Sequence, residues 1–222
     1  KRKVVVTGLG VLAPNGNTTS EYWKALTAGK SGIGPIESFD ASDLSVRIAG
    51  ELKDFDPQSF FDRKELRKLD PFTIYHLVSS EEAIKNSGID LDKTDGDRIG
   101  VIIGTGIGGI QTLENEHGVF SERGQRRVSP FFVPRFIPNI ASGNLAIKFG
   151  LRGPNHTVIS ACASGTDAIG CAMRTIQYGD ADVMITGGTE ASITGLTISG
   201  FGNIKALSTR NDDPTAASRP FD

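Results

Sequence analysis

The sequence has few of the residues that build disulfide scaffolds, metal centres or membrane anchors. Its 222 residues include two cysteines and three histidines, and no group of these has the spacing of metal ligands. No apolar run approaches the ~18 residues of a membrane-spanning helix, and the first residues do not form the apolar core of a signal peptide. A net charge of −2 gives no general attraction to nucleic acid or to a membrane surface. We therefore expect no metal ion, no nucleic-acid partner and no membrane partner.

Cys162 and Cys171 are expected to remain unpaired. If residues 163–178 form a helix, the two positions lie ~13 Å apart along its axis, whereas a disulfide needs Cα atoms within ~7 Å. Unpaired cysteines are typical of a reducing compartment, so the expected location is the cytoplasm.

Strand-like and helical patterns alternate along the chain, which indicates an α/β fold with a largely parallel sheet. Asp70 and Pro71 are residue types preferred at an N-cap and at the first helical position. They predict the start of a helix that reaches about Asn86 and is followed by Gly88. The predicted strands are residues 3–7, 98–103, 156–160 and 183–186. The predicted helices are residues 18–28, 62–69, 70–86, 110–120, 138–149 and 163–178, and residues 129–134 are predicted to form an aromatic, proline-bounded loop.

Cys162 is the strongest candidate for a catalytic residue. It lies where the strand pattern of residues 156–160 changes into the helical pattern of residues 163–178, so its side chain is expected to project from a sharp turn. Unpaired N–H groups and the positive dipole end of a starting helix favour a thiolate. Composition alone favours the alternative of a small buried cysteine. The small neighbours that would admit a substrate are Ser160, Ala161, Ala163, Ser164 and Gly165.

Two glycine-rich segments have the spacing of a dinucleotide-binding loop without its context. Gly104 to Gly109 fit G-x-G-x-x-G after a predicted strand, but that fingerprint also needs a second strand ending in an acidic residue about 20 positions on. Residues 122–128 form a basic loop there instead. In residues 8–13 the same spacing is followed by Pro14, which breaks the required helix. We therefore expect no dinucleotide cofactor.

No histidine is placed by the sequence to activate Cys162. His156 lies six residues upstream, which in a strand is ~20 Å, and His76 and His117 belong to other elements. A cysteine hydrolase, which needs such a partner, is therefore a weak alternative.

Basic side chains gather at three places. Lys64, Arg67 and Lys68 have the spacing i, i+3 and i+4, which puts them on one face of the predicted helix 62–69. The residues alone leave two interpretations open, a solvated charged face and a docking surface for an acidic partner. Nucleic acid is the less attractive partner, because the net charge is negative and no aromatic residues are interleaved. The basic residues are Lys64, Arg67, Lys68, Arg126, Arg127 and Lys205.

Seven segments in order along the chain resemble the β-ketoacyl-acyl-carrier-protein synthases of the thiolase-like superfamily, most closely the long-chain-elongating type called synthase II. The cysteine motif, Ser160-Ala-Cys-Ala-Ser-Gly165, would alone be moderately specific for this family. Seven motifs in the family's order are far more specific for it. The other segments are residues 4–10, 63–68, 104–109, 129–134, 179–184 and 206–210.

The resemblance implies a thiolase-like fold in which residues 1–222 form one N-terminal synthase domain, about one αβα half of a five-layered αβαβα architecture. It also implies that Cys162 accepts an acyl chain from the phosphopantetheine of acyl carrier protein, while the Cys162 N–H supplies one oxyanion donor. Malonyl-acyl-carrier protein would then lose CO2, and the resulting carbanion would attack the thioester. Because the substrates arrive on the carrier, no further cofactor is expected.

The resemblance assigns substrate and partner contacts as well. Ile107 would line the acyl pocket and Phe201 would lie nearby. The Phe131–Phe132 loop would reach the partner subunit's pocket, which makes Phe132 a substrate-binding residue and implies a homodimer. All six basic residues named above would receive the acidic carrier protein.

The same resemblance implies that part of the catalytic machinery lies outside these residues. The C-terminal half of the family carries two catalytic histidines, a lysine and a glycine-rich loop with the other oxyanion donor. The sequence ends at Ser218 to Asp222, within a family motif, so this segment alone is expected not to condense and to require the C-terminal half as a partner. A polyketide-type ketosynthase and a non-condensing carrier-binding subunit are the alternatives, although related chain-length factors generally lack the active cysteine.

Overall fold

Helices and strands alternate through the chain in a computed structural model, which describes residues 2–221. The strands are β1 (Gly34–Pro35), β2 (Ile48–Ala49), β3 (Ile99–Gly104), β4 (Asn155–Val158) and β5 (Val183–Gly188). The α-helices are α1 (Thr19–Thr27), α2 (Arg63–Leu66), α3 (Pro71–Ser87), α4 (Ile110–Arg123), α5 (Phe132–Phe136), α6 (Ile140–Phe149), α7 (Ser164–Tyr178) and α8 (Gly195–Asn203). Short 3-10 helices occur at Pro57–Ser59, Gly96–Arg98, Gln125–Arg127 and Pro214–Ala216.

The chain divides into two compact units, each built from two separate stretches of sequence. The first unit comprises residues 2–10 and 57–191 and holds β3 to β5 with α2 to α7. The second comprises residues 11–56 and 192–221 and holds β1, β2, α1 and α8.

A three-stranded parallel sheet in the order β4-β3-β5 forms the centre of the first unit. Val101 pairs with Asn155 on one side and with Ile185 on the other. Every residue of β3 is buried, and its apolar run is typical of a central parallel strand covered on both faces. The predicted α/β class and three of the four predicted strands are confirmed.

Small residues let α7 pack closely on this sheet. Ile102 of β3 contacts Ala168 and Ala172 of α7 within one buried cluster. Helix α6 packs on β3, β4 and α3. The chain therefore alternates strand and helix as the sequence predicts, with helices covering a buried sheet.

The ends of α3 follow from local residue chemistry. The Asp70 carboxylate accepts a hydrogen bond from the Phe72 N–H, Pro71 takes the first helical position, and Gly88 ends the helix with φ 71°. A left-handed residue at this place is accessible to glycine at little cost. The predicted start and end of this helix are therefore confirmed.

An ion-pair cluster closes the opposite end of the sheet, where β3 and β5 begin. Asp182 accepts hydrogen bonds from the Arg98 and Arg2 guanidinium groups. These bonds, Arg98 first, lower the pKa of Asp182 to about 2.

Three predicted elements differ in the structure. Residues 3–7 are extended but have no paired strand beside them among residues 2–221, and Val5 and Val6 are exposed. With β5, α3 and α7, residues 4–9 line an apolar cavity of about 330 Å³. The predicted helix 62–69 is reduced to α2, and the predicted loop 129–134 contains the start of α5.

The second unit has a small core of its own around the two-stranded antiparallel sheet of β1 and β2. Val46, Ile48 and Ile198 form its buried centre. Asn211 joins the two sequence stretches, because its side chain accepts from the Arg47 N–H at 2.7 Å and donates to the Ser45 carbonyl at 2.9 Å.

Candidate active site at the carboxyl ends of the parallel strands

Cys162 lies on the turn that joins β4 to α7, and its side chain is exposed. Ala161, just before it, adopts a left-handed conformation with φ 53°, which costs free energy for a residue with a Cβ. The Ser164 hydroxyl stabilises the turn by accepting from the Ser160 N–H at 2.9 Å and donating to the Ala161 carbonyl at 2.6 Å. The hydroxyl of Ser164 thus ties the helix start to the two residues before the cysteine, and the predicted strand–helix junction is confirmed.

The thiol sits next to the uncapped start of a long helix. Helix α7 begins at Ser164, and its N-cap residue Ala163 offers no side-chain acceptor. The Cys162 N–H donates to no acceptor within residues 2–221. The N–H groups of Ala163 and Ser164 donate to the Ser160 and Ala161 carbonyls, both at 3.1 Å, whereas the Cys162 N–H is left unpaired among the described residues, next to the positive dipole end of α7.

Glycines bring the start of α7 against the ends of two strands. A Cβ atom placed on Gly104, the last residue of β3, would lie 2.6 Å from the Gly165 nitrogen and closer still to the Ser164 carbonyl. A Cβ on Gly188, the last residue of β5, would lie 3.0 Å from the Gly165 Cα. The contacts at Gly104 are too short for any real side chain, and the contact at Gly188 would require the neighbouring backbone to shift, so both glycines favour this close packing.

A carboxylate from the end of β5 holds the loop that follows β3. Glu190 accepts from the Gly106 N–H at 2.6 Å, from the Ile107 N–H at 3.2 Å and from the Thr105 hydroxyl at 3.2 Å. The sequence interpretation missed Glu190 and the role of Ser164. The signal for Glu190 was an acidic residue four positions beyond the predicted strand 183–186, at a strand end where ligand sites form in α/β sheets.

Ile107 and Phe132 belong to neighbouring segments of this end of the first unit. Ile107 is half-buried in the loop between β3 and α4, and Phe132 is the first residue of α5. The Gly109 N–H donates to the Phe136 carbonyl at 3.1 Å, and the Phe132 and Phe136 rings stack with centroids 5.8 Å apart. The loop after β3 therefore contacts α5 as well as the cysteine turn.

A buried carboxylate joins the starts of α3 and α4. Asp70 is fully buried and accepts from both the N–H and the hydroxyl of Thr112, at 3.0 and 2.6 Å. Burial raises the pKa of Asp70, and the hydrogen bonds from Thr112 and Phe72 oppose that rise. This carboxylate satisfies donors from two helix starts, so its role is structural.

Five of the predicted docking residues lie in the first unit. Lys64 is in α2, Arg67 and Lys68 follow it, and Arg126 and Arg127 end a 3-10 helix; all five are exposed. The Lys68 ammonium lies 6.0 Å from the centroid of the Phe131 ring, so the segment after α2 contacts the loop that follows Arg127. Because α2 ends at Leu66, only Lys64 of the three lies within the helix, and Arg67 is its C-cap residue.

Phe201 and Lys205 lie in the second unit. Phe201 is in α8 with an exposed ring, and Lys205 is exposed just after that helix, with φ 57°.

No histidine hydrogen-bonds to either thiol within residues 2–221. His76 is buried in α3, its Nδ1 bonds to the Ser80 hydroxyl, and burial lowers its pKa to about 3. His156 lies on β4 opposite Ile102. Cys162 and Cys171 are both free, as their spacing predicts.

Metal-ligand clusters and membrane-spanning helices are both absent from the described residues. Residues 2–221 contain no group of three or more His, Cys, Asp or Glu side chains that could hold a metal ion. None of the helices in this range combines the length and apolar character required to cross a bilayer.

The free thiol lies on the turn between a parallel strand and a helix, in a sheet whose central strand is buried, and the match to solved ketosynthases makes this chain half of a thiolase-like fold. The chain belongs to the β-ketoacyl synthase family, because the family model described as "Beta-ketoacyl synthase, N-terminal domain" matches residues 1–222.

Curated relatives agree with this assignment. The chain is 50% identical over 222 residues to "3-oxoacyl-[acyl-carrier-protein] synthase 2" of Synechocystis sp., covering 100% of the chain and 53% of that protein. The protein of the same name from Vibrio cholerae is also 50% identical and is covered to 54%. The chain therefore spans about half the length of the curated relatives it matches.

Solved structures give the same fold. A β-ketoacyl synthase from Burkholderia phymatum superimposes with a TM-score of 0.86 at 30% identity, over 100% of this chain and 55% of that one. A type II polyketide ketosynthase in complex with its acyl-carrier protein, AntDE with AntF, matches at TM-score 0.79 and 28% identity, over 93% and 56% of the two chains.

Proposed function

We propose that the protein carrying this chain is a 3-oxoacyl-acyl-carrier-protein synthase of fatty acid elongation, with Cys162 as the acyl acceptor. The observation that carries the proposal is an exposed thiol fixed beside an uncapped helix start. Relatives with 50% identity over the whole chain bear this enzyme name.

In the first step the Cys162 thiolate attacks the carbonyl carbon of an acyl thioester on the carrier. The new carbon–sulfur bond replaces the bond to the pantetheine sulfur, which leaves as a thiol by taking up the proton that the Cys162 thiol gave up when it formed the thiolate. The Cys162 N–H, which has no acceptor within residues 2–221, would stabilise the oxyanion that forms on the carbonyl oxygen.

In the second step malonyl-carrier protein loses CO2, and its enolate attacks the acyl-Cys162 carbonyl. The Cys162 thiolate leaves, and a 3-oxoacyl-carrier protein is released. The histidines, lysine and second oxyanion donor for this step are proposed to belong to the C-terminal half. We propose no resident cofactor, because phosphopantetheine arrives with the carrier, and free thiols favour a cytoplasmic location.

Alkylation tests the role of Cys162. In the full-length protein, iodoacetamide is expected to label Cys162 much faster than Cys171 at neutral pH, and Cys162→Ala is expected to abolish acylation while Cys171→Ala leaves it unchanged. Equal labelling rates, or normal activity of Cys162→Ala, would contradict the proposal.

We propose further that the acidic carrier docks on the six basic residues. The contact between Lys68 and Phe131 supports a continuous surface that links the region after α2 to the loop after Arg127. Lys64→Glu with Arg67→Glu should weaken carrier binding more than tenfold at low salt, and wild-type binding should fall as salt rises. Lys85→Glu with Lys93→Glu is the matched control, since both lysines are exposed, Lys85 in the last turn of α3 and Lys93 in the segment that follows this helix. Equal loss in both double variants would place the docking surface elsewhere.

The remaining substrate contacts and the dimer are part of the same proposal. Ile107 is proposed to line the acyl pocket, Phe201 to be a further substrate-binding residue, and Phe132 to reach the pocket of a second copy. The open edge of β4, which pairs only with β3 among residues 2–221, supports pairing with that copy. Sedimentation of the full-length protein as a monomer at micromolar concentration would reject the homodimer.

Polyketide chain extension is the second candidate, because one structural neighbour is a polyketide ketosynthase. The higher identity to fatty acid synthases favours elongation of a reduced acyl chain. The two functions are distinguished by offering saturated acyl-carrier and 3-oxoacyl-carrier primers to the full-length enzyme. Preference for the 3-oxoacyl primer would make polyketide chain extension the favoured function.

A further inference from the structure

Glu190 lies just beyond β5 and reaches the loop that follows β3. One carboxylate oxygen accepts from two consecutive backbone N–H groups, of Gly106 at 2.6 Å and Ile107 at 3.2 Å. The other accepts from the Thr105 hydroxyl at 3.2 Å, and that hydroxyl in turn accepts from the Gly108 N–H at 3.2 Å. One side chain therefore fixes four consecutive residues of the loop.

This loop lies between Glu190 and the cysteine turn. A Cβ placed on Gly106 would be 2.8 Å from the Glu190 Oε2 and 3.6 Å from the Ala161 carbonyl oxygen. Ala161 is the left-handed residue directly before Cys162. Any displacement of Gly106 toward or away from β5 therefore changes what the backbone next to Cys162 packs against.

We propose that Glu190 is a positioning residue that sets acyl-chain selectivity at Cys162 by fixing the backbone of Ile107. The inference rests on the proposed function, since it assumes that Cys162 accepts an acyl group beside Ile107. Glu190 touches no reacting atom; it acts through the loop.

The chemistry of the contact explains why a carboxylate occupies this position. Consecutive backbone N–H groups that converge on one point form a small anion-binding site. An ionised carboxylate suits this site because its oxygens only accept hydrogen bonds. A glutamine can still accept from Gly106 and Ile107 through its carbonyl oxygen. Its amide can donate to the Thr105 hydroxyl, which is also able to accept. An alanine leaves the N–H groups without this partner, so Glu190→Gln should rescue what Glu190→Ala loses.

The test uses the full-length enzyme and acyl-pantetheine thioesters of increasing chain length, from four to sixteen carbons, with mass spectrometry of acylated Cys162. Glu190→Ala is expected to change the order of preference among chain lengths, with the rate for the best wild-type substrate falling about 10- to 100-fold, as for a loop displacement near 1 Å. Glu190→Gln should return within about fivefold of wild type. Binding of the carrier protein should stay within twofold in both variants, because the docking residues lie elsewhere.

Asp182→Ala is the matched control for a merely structural effect, since it removes a carboxylate at the other end of β5. It should lower the melting temperature without reordering chain-length preference. If Glu190→Ala does not fold, Gly106→Ala perturbs the same contact from the loop and should reorder preference in the same assay.

The possible outcomes separate the inference from the proposed function. A wild-type enzyme that is not acylated on Cys162 overturns both. If wild-type Cys162 is acylated but the Glu190 and Gly106 variants keep the wild-type order of chain-length preference, the inference alone is overturned. It is also overturned if Asp182→Ala changes the acylation rate and the chain-length preference in the same way as Glu190→Ala.

Discussion

Replacing Gly104 by alanine should separate the packing of the site from its chemistry. Gly104 ends β3 directly beneath the start of α7, and it contributes no side chain to catalysis. An added methyl group would lie 2.6 Å from the Gly165 nitrogen and closer to the Ser164 carbonyl. Ordinary carbon contacts are about 3.5–4.0 Å, so the strand end and the helix start must separate by roughly 1 Å.

This separation should lower both the free energy of unfolding and the rate of Cys162 acylation. Overpacking a well-filled interior costs about 1–3 kcal/mol of the free energy of unfolding, and backbone on both sides leaves no flexible side chain to relieve it. A displacement of about 1 Å at a catalytic group reduces a rate about 100-fold. Cys162 moves with the helix start, because the Ser164 hydroxyl, at the start of α7, bonds to the backbone of Ser160 and Ala161 directly before the cysteine.

The assay compares acylation of Cys162 with unfolding in urea for Gly104→Ala and Gly118→Ala in the full-length protein. Gly118 lies within α4, and a Cβ there would meet nothing within 4 Å. Gly118→Ala should therefore stabilise the protein by about 1 kcal/mol through helix propensity and leave acylation unchanged. If Gly104→Ala retains the wild-type acylation rate and stability, then the start of α7 is not held by this contact and the reasoning is refuted.

Three further substitutions test separate parts of the structure. Ser164→Ala removes a donor and an acceptor from the cysteine turn and should cost about 1–2 kcal/mol, measured by urea unfolding, with slower alkylation of Cys162. Asp70→Ala leaves the donors of Phe72 and Thr112 unpaired in a buried place and should cost about 3 kcal/mol, whereas a loss below about 1 kcal/mol would show that water replaces the carboxylate. His76 has a folded pKa of about 3, below its unfolded value of 6.5, so the unfolded state binds the extra proton between these values. Stability should therefore fall by up to about 1.4 kcal/mol per pH unit as pH decreases through this window, and His76→Gln should flatten that part of the urea-unfolding profile.

Local chemistry made several features of the fold predictable. Asp70, Pro71 and Gly88 fix the ends of α3 through bonds and backbone preferences that act within a few residues. The change of pattern at Cys162 is equally local, and both the turn and the free thiol are as predicted. The extended conformation of residues 3–7 was also predictable, but strand pairing requires a neighbouring backbone that a local pattern does not supply.

Long-range contacts limited the prediction of the site. Glu190 is 83 to 85 positions from the groups it binds, and nothing in its own neighbourhood indicates which loop it meets. Only the strand order β4-β3-β5 brings the ends of β3 and β5 together. The order follows from the tertiary fold, so the cysteine could be found from sequence while the group that holds its neighbouring loop could not.

The contacts of Gly104 to Gly109 also explain why a glycine pattern typical of phosphate binding has another use here. In a dinucleotide-binding loop the backbone N–H groups are left free for an anionic ligand. In this chain the N–H groups of Gly106 and Ile107 already bind the Glu190 carboxylate, which would repel a phosphate. Gly104 packs against the start of α7, and a Cβ on Gly109 would lie 2.6 Å from the Arg135 carbonyl oxygen. The glycine spacing therefore reflects close contacts of the loop backbone with Glu190, with the start of α7 and with Arg135. The anion that accepts from the loop N–H groups is the Glu190 carboxylate of the protein itself.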